Sequence, residues 1–191
     1  MTVAGGTHLD RRTEAFVADV LAEIDSHVPI SEAFLLGSGA VGGFDRRTSD
    51  VDLVVVVERS PGAERDALVE SLAALERPVR DLELVVYVWG HQPPDFELNL
   101  NEGEERPDEE PFWFVLDAAL AQEHAVPVWG RRPWSDFFAP IEAERVRKAT
   151  RESLAWSARR PADDEFARVN AARARHYLEH GLWVTKEEAK G

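Results

Sequence analysis

"LLGSGAVGGFDRRTSDVDLVVVV" (residues 35–57) joins the end of one apolar run to the start of the next through a glycine-rich link, and its reading decides the rest of the chain. The second run is too uniformly apolar for a strand with one wet face, so it predicts a central strand buried on both sides. Yet that strand opens on Asp50 and Asp52. Side chains two apart on a strand share a face, which puts the two carboxylates about 7 Å apart at their Cα atoms, where they repel unless neutralised. With no cysteine in the sequence and no clustered histidine, the fitting neutraliser is a divalent cation. Mg²⁺ prefers one or two protein carboxylates together with water and phosphate oxygens. The upstream residues supply a phosphate end. Gly37 allows a ligand close to the backbone, and Ser38 and nearby amides can donate to phosphate oxygens, with Gly39 leaving room. Ser49 either fixes the turn or adds a donor.

Holding two metal ions some 3.5–4 Å apart for an in-line displacement calls for a third carboxylate. Glu83 fits. It lies in an apolar strand, "LELVVY", where a glutamate is costly to bury without a cation beside it. Its alternatives are metal ligand or general base taking the proton of an attacking hydroxyl.

Composition narrows the partners. The 22 Lys and Arg against 36 Asp and Glu give a net charge of −14, which repels polyanions and argues against nucleic acid as the main partner. A cationic small molecule suits this surface, although acidic surfaces also simply aid solubility. No apolar run approaches the roughly 20 residues of a membrane-spanning helix, and the N-terminus lacks the basic start and apolar stretch of a secretory signal. Cytoplasm is the expected location. The lack of cysteine excludes disulfides, a thiolate nucleophile and thiolate metal sites.

Along the chain, Phe16, Val17, Val20, Leu21 and Ile24 recur at helical spacing, predicting a helix over 13–27 with Thr13 as its N-cap. A strand over 32–36, the central strand, a helix in "GAERDALVESLAALER" and a strand in "DLELVVYVW" follow. The short link between the first two strands favours an antiparallel pair, and the order reads as an α/β or α+β layer on a small sheet. After a Pro- and acid-rich stretch with a strand at 95–100, "FWFVLDAALAQEH" resumes a helix. The segment "VPVWGRRPWSDFFAP" (126–140) reads as a linker across a domain face. It divides an N-terminal domain, 1–140, from a helical one, 141–191. Helices over 142–157 and 164–180 follow, with Asp163 or Asp164 capping the second. His91, His124, His176 and His180 read as surface or capping residues; the His176/His180 pair lacks the intervening Glu of a zinc-protease helix.

Gly-Ser, Asp-x-Asp and a third acidic residue one strand later resemble the signature of the polymerase-β-type nucleotidyltransferase superfamily. More narrowly, residues 35–57 are similar to the aminoglycoside adenylyltransferases that modify streptomycin and spectinomycin. The similarity continues through "FELNLNEGE", "VLDAALAQEHAVPVWG", "FFAPI", "ESLAW", "RVNAARARHYLEHG" and "WVTKEEA", nearly the whole chain from about residue 30. The resemblance implies a small mixed sheet with flanking helices followed by an α-helical domain, and transfer of AMP from ATP to a drug hydroxyl. It makes Asp50, Asp52 and Glu83 the ligands of two Mg²⁺ ions, with Glu83 also the base, and brings Gly37, Ser38 and Ser49 to the triphosphate. Lys186 and Arg173 match residues that relatives bring to the ATP phosphates. Asp163 or Asp164 falls where streptomycin-modifying members place an acidic contact to the drug. Gly103 stands where those members have a tryptophan, so Trp113 either replaces that contact or belongs to the core. The acidic loop "ERPDEEP" suits a polycation or a solvated surface. Relatives continue beyond the lysine through further helices, so the helical domain is either short or incomplete here. Two rival functions share the signature: a toxin–antitoxin nucleotidyltransferase that modifies a protein, and a non-catalytic nucleotide-binding module.

Overall fold

The computed structural model describes residues 6–186 and 188–190. The chain divides into two compact units, Met1–Glu109 with Leu120–Pro140, and Glu110–Ala119 with Ile141–Gly191.

The first unit is built on a six-stranded mixed sheet. Its strands are β1 (Ile30–Leu35), β2 (Val51–Val57), β3 (Leu82–Val88), β4 (Leu98–Asn101), β5 (Glu104–Glu105) and β6 (Val126–Trp129), in the spatial order β5-β4-β3-β2-β1-β6. β1 and β2 pair antiparallel, and β2 and β3 pair parallel. The crossover between that parallel pair holds α3 (Arg65–Ala74). α1 (Arg11–His27) precedes the sheet, and a one-turn helix, α2 (Gly37–Val41), sits in the β1–β2 link.

Strand alternation sorts the side chains onto two faces. Leu35 of β1, Val51, Leu53, Val55 and Val57 of β2, and Leu82, Leu84 and Val86 of β3 share one core with Val17, Val20, Leu21 and Ile24 of α1 and Leu68 and Leu72 of α3. The intervening residues, including Phe34, Asp52, Glu83 and Tyr87, therefore take the opposite face. There the aromatics of 134–138 close on the sheet. Trp134 meets Phe34 edge-on at 5.2 Å, and Phe138 meets Tyr87 at 5.2 Å.

Two features differ from the sequence reading. Asp10, not Thr13, caps α1: its Oδ1 accepts from the amides of Arg12 and Thr13 and from the Thr13 hydroxyl, while Thr13 itself is buried in the first turn. A carboxylate that can serve three donors outcompetes a hydroxyl that serves one. The segment read as a linker also contributes structure: 126–129 forms β6, an edge strand beside β1, where Pro127 is tolerated because an edge asks for fewer amide donors.

In the second unit, α5 (Ala143–Ser157) and α6 (Glu165–His180) pack on the first turns of α4 (Pro111–His124). Phe112, Val115, Leu116, Val146 and Ala149 form its core. Asp164 caps α6, accepting from the Ala167 amide at 2.9 Å, and Gly181 ends it in the left-handed conformation. Among the described residues no helix is long and apolar enough to cross a membrane.

Candidate functional site

The site is assembled by β2, β3 and the turn before α2. Parallel register sets Asp52 of β2 directly beside Glu83 of β3, both half-buried on the same sheet face, at the N-terminal ends of their strands. Adjacent strands run about 4.8 Å apart, so these are neighbouring carboxylates. The turn is fitted to Asp52. The Leu36 amide donates to the Asp52 carbonyl at 2.9 Å, and Gly37 follows with φ +54°. A β-carbon on Gly37 would overlap Asp52 Oδ2 and lie 2.8 Å from its Cγ, so glycine is required here by conformation and by contact. Gly39 serves packing instead of a ligand: a β-carbon there would come within 2.9 Å of Leu35 Cδ2 and 3.0 Å of Leu9 Cδ2.

Asp50 is buried at 8% exposure and held by Arg80, whose Nε donates to Oδ1 at 2.7 Å while its terminal nitrogen bonds Oδ2. Bonding to Asp50, with the charges of Glu83 and Asp81 nearby, raises the Arg80 guanidinium above its ordinary range. Among the described residues no three Asp, Glu or His side chains meet as a ready-made metal cage. Both oxygens of Asp50 are engaged by the guanidinium. Arg80 was legible only as a base three positions before Glu83, and sequence reasoning passed over it. Ser49 is engaged in the loop: its hydroxyl accepts from the Asp45 amide at 3.2 Å and helps close the turn over 45–49. Ser38 stands half-buried in α2.

Another buried carboxylate, not singled out by local pattern, lies on β1. Glu32 of β1 is 1% exposed and accepts from the Arg132 amide at 3.1 Å and from Arg132 Nε at 3.4 Å. Burial pushes the Glu32 carboxyl above its ordinary range, against the opposing pull of Arg132. The Arg132 guanidinium in turn lies over Trp89 and Phe137, at 4.6 and 4.5 Å from their ring centroids. This pair ties β6 and the aromatic segment to β1, a structural role.

The remaining candidates lie in the second unit. Trp113 belongs to an aromatic cluster, 4.8 Å from Phe112, 5.4 Å from Trp156 and 6.0 Å from Phe166. Asp164 is committed to its cap, whereas Asp163 is exposed. Arg173 is partly buried, donates from Nε to the Val184 carbonyl at 2.9 Å, and has its guanidinium lowered by that burial, with Asp117 opposing. Lys186 is exposed.

Residues 17–104 match the family model of the nucleotidyltransferase domain. No curated protein sequence matches the chain significantly. Among solved structures, the crystal structure of spectinomycin adenyltransferase AAD(9) from Enterococcus faecialis with ATP and spectinomycin superposes with a TM-score of 0.76. It covers 95% of this chain and 81% of its own, at 19% identity, a likeness of fold. The match makes residues 17–104 a nucleotidyltransferase domain, which supports an enzyme of that class, and the superposition shows that the chain shares the fold.

Proposed function

We propose that this chain transfers the adenylyl group of Mg·ATP to a hydroxyl of an aminoglycoside or aminocyclitol of the streptomycin or spectinomycin type, releasing pyrophosphate. The observation that carries the reading is the register of Asp52 with Glu83, set against Gly37 with Asp50 one residue before β2. The AAD(9) structure, which bears the same fold, holds ATP and spectinomycin. A net charge of −14 favours an acceptor rich in ammonium groups.

Asp50, Asp52 and Glu83 offer hard oxygen donors, the set that suits Mg²⁺, and the glycine cradle at residue 37 keeps Asp52 Oδ2 at the mouth of the turn. These residues would hold two ions. When bound, Mg²⁺ supplies neutralising charge for the triphosphate and the departing pyrophosphate. Glu83 takes the proton of the acceptor hydroxyl as its oxygen bonds to the α-phosphorus. The bond from that phosphorus to the bridging oxygen breaks, and the electron pair leaves on pyrophosphate. Ser38 and the amides of the Gly37 turn donate to phosphate oxygens, and Ser49 keeps that loop in shape. Arg173 and Lys186 add positive charge for the phosphates. Asp163 is the better placed of the two aspartates to meet a drug ammonium group, since Asp164 already caps α6. Trp113 is the aromatic side chain offered for a stacking contact with the drug.

The test is pyrophosphate release from Mg·ATP in the presence of streptomycin, spectinomycin and other aminoglycosides, with Asp52→Ala as control. Release that depends on one drug and disappears in the variant is the expected result. Binding of Mg·ATP without drug-stimulated release by any of the panel would refute the antibiotic acceptor.

A further inference from the structure

We infer that Arg80 is a resident counter-cation of Asp50 which a divalent metal has to displace, so that one side chain gates metal entry to the site. The inference rests on the metal-dependent reading above and concerns its control.

The geometry is that of a closed fork. Both oxygens of a buried carboxylate face two nitrogens of one guanidinium, the planar match that makes arginine–carboxylate pairs strong. A metal ion on Asp50 would compete for the same inward lone pairs, and a guanidinium left in place would repel it. The carboxylate has little room to turn away, because Asp50 is buried. Arg80 is different. Its backbone is pinned by its amide to the Arg46 carbonyl at 3.1 Å, but its side chain is 59% exposed, against 8% for Asp50. The exposed partner is the one that can leave, and it can do so by rotating its own side chain without moving the loop.

The consequence is electrostatic. Arg80 compensates the charge of Asp50 and feels those of Glu83 and Asp81, which helps acidic groups coexist at the ends of neighbouring strands before any metal binds. The same neutralisation lowers the site's attraction for a metal. Arg80 therefore stabilises the metal-free protein at the expense of metal affinity.

The experiment is Mn²⁺ binding to the full chain without nucleotide, read from the electron paramagnetic resonance signal of free Mn²⁺. Arg80→Gln should bind Mn²⁺ about tenfold more tightly than the wild type, the scale of one lost charged hydrogen-bond pair, and Asp50→Asn should bind far more weakly. Arg80→Lys keeps the charge and loses the fork, so it should fall between wild type and Arg80→Gln. It serves alone if the glutamine variant does not fold. Equal or weaker Mn²⁺ binding in the Arg80 variants, with wild-type binding still lost in Asp50→Asn, overturns the gate and leaves the metal reading standing. No Mn²⁺ binding by any of these proteins overturns both.

Discussion

Replacing Gly37 by alanine separates backbone strain from the cost of crowding Asp52. At φ +54° an alanine sits in the left-handed region, which costs about 1–2 kcal/mol. Its β-carbon would also overlap Asp52 Oδ2, driving that side chain off its rotamer for about another 0.5–1.5 kcal/mol. The sum is about 1.5–3.5 kcal/mol, to be read from urea unfolding of wild type and variant. The two contributions part in an Asp52→Ala background, where the overlap with the carboxylate is gone: there Gly37→Ala should cost only the backbone share, about 1–2 kcal/mol. Activity should suffer more than stability. With Asp52 in its proposed role, displacing its carboxylate by the order of an ångström lowers kcat/KM by roughly 100-fold. The reasoning fails if Gly37→Ala costs the same with and without the Asp52 carboxylate, or if the alanine variant keeps full activity.

Other residues give cleaner readings of single interactions. Asp10→Ala removes the N-cap of α1 and should cost about 1 kcal/mol, seen as a Tm lower by about 2–4 °C. Glu32 has a folded-state pKa raised above its unfolded value, so the stability it contributes is complete below the unfolded value, about 4.3, and declines as pH rises through the folded value. Thermal melts from pH 4 to 7 should therefore show wild type losing ground to Glu32→Gln as pH rises; the opposite slope would show that Arg132 outweighs burial at this carboxylate.

The sequence by itself determined what depends on neighbours along the chain. The period of two set Asp50 and Asp52 toward one face at the start of β2, and an unbroken run of valines announced a buried strand. Helical spacing found α1, α3, α4, α5 and α6, and the Asp-Asp pair before α6 marked its cap. The tertiary structure decided what depends on residues brought together from afar. Glu32 and Glu83 are each a glutamate in an apolar strand, indistinguishable by local pattern. One is buried beside Arg132, 100 positions on, while the other stands in register with Asp52. Nothing near Asp50 in sequence announced Arg80 as its partner, because that contact exists only once the parallel pairing of β2 and β3 brings the loop before β3 alongside the start of β2. β6 was illegible for the same reason: four residues with a proline carry little strand signal, and it is the exposed edge of β1 that orders them. Periodicity reports which face a side chain takes, whereas charge compensation is settled between strands and loops that meet only in the fold.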